Sequence, residues 1–322
     1  MSDAGPLTWV VGGGGLLGST LVARTPTARR WLPSGPIPWG TPEASHRLVQ
    51  ETRRFLADAA TRPGGGEWQI AWCAGAGVTA SGPDALAAET SLLERVLEVL
   101  SDAPAAGRGG LFLASSAGGV YGGATGAPFD ERTEPRAISP YGIAKLELEA
   151  RVGALHRDAG VPVLVGRIAN LYGPGQNLGK AQGLISQVVR AHLLGRPISM
   201  YVSLDTVRDN LYVTDAARLV DAGLARLRSE SDRDGAQHVV KVLASQQGVT
   251  VGFLVAELGR IFKRRMRVVY GMATSSGYQS RDLRLRSNVW PELDRVATVP
   301  LPVGMRRIVQ SLTSAAGAGK LT

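Results

Sequence analysis

Thr8-Trp9-Val10-Val11-Gly12-Gly13-Gly14-Gly15-Leu16-Leu17-Gly18 sets the architecture of the chain. The first four residues read as a short buried strand. They run without a linker into glycines, then into a helical stretch from Ser19 to about Arg24. Gly12, Gly15 and Gly18 form a G-x-x-G-x-x-G pattern at this strand-to-helix junction. The demand there is threefold: a tight turn, close backbone approach to a pyrophosphate, and close helix–sheet packing. The helix N-terminus then offers free N–H groups and a positive dipole end to the anion. Gly12, Gly15, Leu16, Leu17 and Gly18 are therefore candidate dinucleotide contacts. Four glycines in a row also fit a plain flexible turn.

The pattern outward from this junction alternates strands and helices. A helix is expected from Pro42 or Ala44 to Ala60, then a loop over Arg62-Pro63-Gly64-Gly65-Gly66. Trp68 to Ala74 reads as a buried strand ending in Gly75-Ala76-Gly77, where Ala74 and Gly75 let the backbone lie close to a cofactor. Asp84 to Leu100 is a long amphipathic helix, and Gly110 to Ala114 a strand that delivers Ser115 and Ser116 at its C-terminal end. Val161 to Arg167 is one more buried strand, and Ile168 at its end joins the candidate cofactor contacts. This alternation predicts an α/β fold, a doubly wound parallel sheet of the Rossmann type, with a smaller interleaved C-terminal α/β substrate domain. The dinucleotide-binding part is expected over 1–175 with a returning segment about 204–245; 176–203 and 246–322 form the substrate part. Beyond Gly175 the spacing predicts a helix over Gly183 to Leu194, a strand from Val207 running into a helix from Asp215 to Arg228, and a polar loop from Arg228 to Gly235. A helix over Val249 to Phe262, a strand over Arg267 to Tyr270 and a mobile tail from Ala315 complete the pattern.

A second stretch carries chemistry. Ser139-Pro140-Tyr141-Gly142-Ile143-Ala144-Lys145 reads as a helix start, with Ser139 as N-cap and Pro140 at the first helical position. Tyr141 and Lys145 stand at i and i+4, so they project from one helix face. A lysine ammonium there favours the phenolate form of the tyrosine. A tyrosine so poised takes a proton from a hydroxyl or gives one to a carbonyl. The alternative is a packed tyrosine beside a solvated lysine.

Composition narrows the function classes. With 36 Lys and Arg against 27 Asp and Glu, the net charge of +9 favours anionic partners such as nucleotides and phosphates. The arginines are spread along the chain, so they read as solvated helix faces rather than a nucleic-acid site. The single cysteine, Cys73, excludes an intramolecular disulfide framework and reads as a buried core thiol. No metal-ligand cluster is visible, no apolar run reaches the length of a membrane span, and Met1 to Pro6 has no signal-peptide pattern. A cytoplasmic location is the expectation. The second strand of a dinucleotide-binding unit normally ends in an acid that grips the ribose of NAD. Thr25 to Gly40 contains no acid but includes Arg29 and Arg30, which tilts the expectation toward NADP over NAD.

The ordered set Gly12-x-x-Gly15-x-x-Gly18, Ser115-Ser116 to Val120-Tyr121-Gly122, Ser139-Pro140-Tyr141-x-x-x-Lys145, Arg167-x-x-Asn170-x-Tyr172-Gly173-Pro174 and Arg208-Asp209-x-x-Tyr212-Val213-x-Asp215 resembles the extended short-chain dehydrogenase/reductase superfamily, the sugar-nucleotide epimerases, dehydratases and reductases. The resemblance covers most of the length. It implies Tyr141 as acid/base, Lys145 on the nicotinamide ribose, and Ser116 or Ser115 on the reacting oxygen. It also implies Asn170, Arg208 and one of Arg281, Arg284 or Arg286 (Arg281 is taken) on the phosphates of a nucleotide sugar. A homodimer through Asp84–Leu100 and Tyr141–Leu155 is implied as well. Two departures matter. The family's usual catalytic Ser/Thr position holds Ala117, so Gly118-Gly119 must bring a neighbouring serine into register. The Asp-Glu pair of dehydratases is replaced by Ala117-Gly118, which removes the acid and base of dehydration. A 4-epimerase or 4-keto reductase is the expected function. The alternative is a non-catalytic cofactor-sensing or nucleic-acid-binding member of the same fold.

Overall fold

Apolar runs bury both faces when they pair in parallel, and β-strands of mainly apolar residues, with a two-residue strand at one edge, build the larger six-stranded sheet of this protein. The structure, a computed structural model, describes residues 5–62, 66–75, 77, 82–103, 108–179, 183–271, 280–296 and 298–321. The expected loop at 63–65 and residue 76 lie outside these described residues. In chain order the first elements are β1 (Leu7–Val11), α1 (Leu16–Arg24), β2 (Arg30–Trp31), α2 (Glu43–Ala60), β3 (Trp68–Trp72), α3 (Pro83–Ser101), β4 (Gly109–Ser116), α4 (Ala117–Val120), α5 (Pro140–Ala159) and β5 (Val163–Ile168). There follow β6 (Asn170–Tyr172), α6 (Leu184–Leu193), β7 (Ile198–Met200), β8 (Val207–Tyr212), α7 (Val213–Asp234) and β9 (His238–Leu243). The chain ends with β10 (Gly248–Thr250), α8 (Val251–Phe262), β11 (Val268–Tyr270), β12 (Asp282–Leu283), α9 (Pro291–Asp294) and α10 (Leu301–Gly317).

The larger sheet has the order β2-β1-β3-β4-β5-β9, all parallel. One face is covered by α2, α3 and α5 through residues such as Leu48, Phe55, Leu93 and Val152. The other is covered by α1 and α7 through Leu17, Leu21, Leu219 and Leu224. The sheet is therefore doubly wound, and the chain reverses its lateral direction between β1 and β3. Such a switch point opens a crevice at the C-terminal ends of the strands. A smaller sheet, β10-β8-β12 with β6 on β8, stands beyond β5. A third core gathers α6, α8 and α10 around Tyr172, Tyr212 and Met305.

Three local expectations fail. Arg228 to Gly235 is helix, not loop: α7 continues to Asp234, supported by the Arg226–Glu230 pair at 2.7 Å one turn apart. Val249 belongs to β10, and α8 starts at Val251 behind the Thr250 cap. The tail from Ala315 is helical to Gly317, and Leu321 is buried.

A buried ionic network fixes the elements beneath the crevice. Glu149 on α5 accepts from Arg167 Nη2 on β5 at 2.7 Å and from Ser115 Oγ on β4 at 2.5 Å. Arg167 Nη1 donates to Tyr121 Oη at 2.9 Å, which donates to the Asp130 carbonyl at 2.7 Å. The Glu149 and Arg167 side chains are under one-tenth exposed. Removing one member leaves the other as an uncompensated buried charge. Arg167→Met is expected to cost about 3–5 kcal/mol, read as a lowered urea midpoint at unchanged slope; a loss under about 1 kcal/mol contradicts this account.

Candidate active site

The glycine junction is shaped by contacts that a side chain would fill. Gly12 has φ of 85°, and a Cβ there would lie 2.5 Å from the Ala74 nitrogen at the end of β3. A Cβ at Gly18 would lie 2.2 Å from the Gly12 carbonyl oxygen. These two positions tie β1, β3 and α1 together. Gly14 has open space in front of it, and Gly14 and Gly15 are exposed. Gly15 caps α1 without a side chain, so the first N–H groups of the helix face the crevice. This cradle fits the pyrophosphate of a dinucleotide, because backbone donors converge there with no Cβ in the way. Ala74 and Ile168 are buried at the ends of β3 and β5, and Gly75 is exposed beside Ala74.

Tyr141 and Lys145 reach the same edge. Ser139 Oγ accepts from Gly142 N at 3.1 Å, and Pro140 occupies the first turn of α5. The helix start is pressed against α4. A Cβ at Gly142 would lie 2.3 Å from the Gly119 carbonyl oxygen, and one at Gly119 would lie 3.1 Å from the Tyr141 ring. The paired glycines thus let the Tyr141 ring lie flat on α4. Lys145 Nζ sits 5.5 Å from the centre of that ring and is 3.5 Å from Glu89 Oε1 on α3.

The two serines part company. Ser115 Oγ is held by Glu149 in the buried network. Ser116 is half-buried, and its Oγ caps α4 by accepting from Gly119 N at 3.2 Å. Gly118 and Gly119 thus form the first turn of α4 rather than an extra loop residue. Ser116 Oγ is thereby tied to Gly119, the residue packed against the Tyr141 ring.

Arg29 and Arg30 are not at the site. The register pairs Arg30 with Thr8 and Trp31 with Trp9, so Arg30 begins β2 instead of ending it, and Arg29 closes the turn before it. Gly12 lies four residues further along β1, about 13 Å away at the opposite edge of the sheet. Arg30 Nη2 donates to the Thr25 carbonyl at 2.8 Å, and Arg62 at the far end of α2 donates to the Ala28 carbonyl at 2.9 Å. Ser34 follows three residues after the end of β2. Its N–H donates to the Glu51 carboxylate at 3.2 Å, and Arg47 Nη1 lies 3.5 Å from its Oγ. Arg47, which sequence reading did not single out, also lies 3.6 Å from Glu51 Oε1 through the same Nη1. Its signal was its place in the first turns of α2, which start at the edge where β2 ends.

Of the three substrate candidates, Asn170 and Arg208 lie on the smaller sheet, and Arg281 directly precedes its strand β12. Asn170 opens β6, is exposed, and pairs with Asn210 on β8. Arg208 stands two residues before Asn210, on the same face of the strand. It is buried, and its Nη1 donates to the carbonyls of Ser280 at 2.8 Å and Val207 at 2.9 Å. Burial lowers its guanidinium to about 10, with Asp282 pulling the other way. Arg281 is exposed and paired with Asp205. Among the described residues, no group of three or more His, Cys, Asp and Glu is placed to hold a metal, and no helix is long and apolar enough to cross a membrane.

The model of the NAD dependent epimerase/dehydratase family matches residues 70–239. The chain belongs to that family. It is 26% identical over 203 residues to the dTDP-4-dehydro-6-deoxyglucose reductase of Escherichia coli, covering 63% of this chain and 61% of that protein. It is 37% identical over 119 residues to the dTDP-glucose 4,6-dehydratase of Xanthomonas campestris pv. campestris (strain B100), covering 36% and 33%. The match spans less than two thirds of either relative. The structure of MoeE5 in complex with UDP-glucose and NAD superposes with a TM-score of 0.74 at 24% identity, covering 97% of this chain and all of that one. The likeness to MoeE5 shows the shared Rossmann fold.

Cys73, the residue after β3, is half-buried rather than fully enclosed. Its thiol is pushed up to about 12 by burial, against the opposing charge of Lys145. The thiolate fraction at pH 8 is then about a thousandfold below that of an unfolded cysteine. Iodoacetamide is expected to label Cys73 far more slowly in the native protein than after denaturation; equally rapid labelling of the native protein contradicts the raised thiol.

Proposed function

We propose that the chain transfers hydride at a carbinol or ketone carbon of a nucleotide-activated sugar, as a 4-epimerase or 4-keto reductase. The observation that carries this reading is the placement of Tyr141 and Lys145 on one face of α5, at the sheet edge that also holds the glycine cradle. A nicotinamide dinucleotide in the cradle supplies the hydride acceptor or donor. The hydroxyl proton of the sugar passes to the Tyr141 oxygen in oxidation and returns from it in reduction. Lys145 places a positive charge beside that oxygen, and Ser116 holds the reacting oxygen by a hydrogen bond. Asn170, Arg208 and Arg281 are the candidates for the diphosphate, where a guanidinium offers bidentate geometry. Dehydration is not favoured: Ala117, fully buried at the head of α4, and Gly118 offer no carboxylate to act as acid or base there.

Tyr141→Phe is expected to lower kcat about a thousandfold while leaving dinucleotide affinity within about twofold, measured by turnover of a nucleotide-sugar panel and by calorimetry. Wild-type protein that turns over none of these sugars sinks the enzyme reading. For the cofactor we propose NADP, with Arg47 rather than Arg29 or Arg30 facing the 2′-phosphate beside Ser34. Arg47→Ala is then expected to weaken NADPH about tenfold and NADH little, whereas Arg30→Ala changes neither. Equal NADPH affinity in wild type and Arg47→Ala rejects this assignment.

A further inference from the structure

Glu89 is a nearly buried charge beside the reacting face. It lies on the inward stripe of α3, between the buried Leu86 and Leu93. A carboxylate on such a stripe must find partners. Its Oε1 faces Lys145 Nζ at 3.5 Å, and its Oε2 accepts from Gly77 N at 3.0 Å. The Lys145 and Glu89 side chains are 9% and 14% exposed, so solvent screens the pair little. The backbone is cut to receive the acid. Gly75 has φ of 155°, and a Cβ there would lie 2.5 Å from Glu89 Oε1. A Cβ at Gly77 would meet both Glu89 Oε2 at 3.3 Å and the Tyr141 ring at 3.6 Å. Glu89, Lys145 and Tyr141 thus converge on one short backbone segment at the end of β3.

An ammonium carries three donors. Among the described residues Glu89 is the acceptor within its reach, at the outer limit of a hydrogen bond. Lys145 can therefore keep Glu89 and still serve a further acceptor. A fixed negative charge at this point also acts on whatever sits beside Lys145. The oxidised nicotinamide ring is a cation and the reduced ring is neutral, so the two forms feel that charge differently.

We propose that Glu89 is a positioning residue: its carboxylate holds Lys145 against Tyr141 and, by its charge, favours the oxidised over the reduced dinucleotide in this site. The proposal rests on the dinucleotide reading given above. It adds a residue that sets the redox bias of the bound couple.

The test uses the full chain stripped of nucleotide, titrated by calorimetry with NADP+ and NADPH and with NAD+ and NADH. In Glu89→Gln the ratio of oxidised to reduced affinity is expected to shift about tenfold toward the reduced form. Glu89→Asp, which keeps the charge, is expected to retain most of the wild-type ratio. A purely structural role weakens both forms alike; equal weakening or an unchanged ratio overturns the proposal. Glu89→Thr, a second neutral variant, is expected to show the same shift should Glu89→Gln fail to fold by circular dichroism. If neither neutral variant folds, the wild-type ratio decides: tighter binding of the reduced form overturns the proposal. Binding of no dinucleotide by the wild-type chain removes the cofactor reading itself, and Glu89 with it.

Discussion

The pair between Glu149 and Arg167 is the constraint on which the site depends. Both charges are nearly removed from water, which is costly unless every remaining donor and acceptor is used. Here they are used: Arg167 also reaches Tyr121, and Glu149 also receives Ser115. The result is a polar knot joining β4, α5 and β5, three elements with no covalent reason to stay in register. Lys145 stands one turn before Glu149 on α5, so the knot also sets the rotation of the helix that carries Tyr141 and Lys145. Ser115 is spent on this architecture. Ser116, the next residue, faces the other side of the strand and is left for the crevice.

Much of this was legible in the chain. The run from Thr8 to Gly18 predicted a strand, a backbone cradle and a helix, and all three are present. Ser139 and Pro140 predicted a helix start, and the Ser139 cap forms as written. What failed did so for physical reasons. Arg29 and Arg30 stand in the region where the acid of a second strand is expected, but that strand is two residues long and begins with Arg30. A cation near a strand in sequence can lie at either of its ends, and only the pairing register decides. Arg47 and Glu89 were missed because they sit on helices whose direction over the sheet was not fixed by the sequence. Glu89 did leave a trace, as a charge on the apolar stripe of α3. The extent of α7 was hidden by its charged last turns, which are held by pairs one turn apart rather than by burial.

Family membership and fold leave the chemistry to individual side chains. The relatives include a reductase and a dehydratase, so the scaffold alone does not separate these reactions. The positions packed around Tyr141 are small ones. Ala117 and the two glycines after it replace bulk with close packing, and that packing seats Tyr141. At the opposite end of the crevice, Glu51 gathers both Ser34 and Arg47, whose Nη1 lies 3.6 Å from Glu51 Oε1.

The aromatic wedge under the crevice gives the protein an optical consequence. Trp9, Trp31, Phe55 and Trp68 pack edge to face between the sheet and α2, with Trp9 and Trp31 ring centres 5.0 Å apart. Trp72 is buried at the end of β3, next to the backbone that lines the cradle. Indole emission overlaps the absorption band of a reduced nicotinamide. The chain thus has donors of excitation energy built into its core, and arrival of such a ring at the sheet edge would quench them without any attached label.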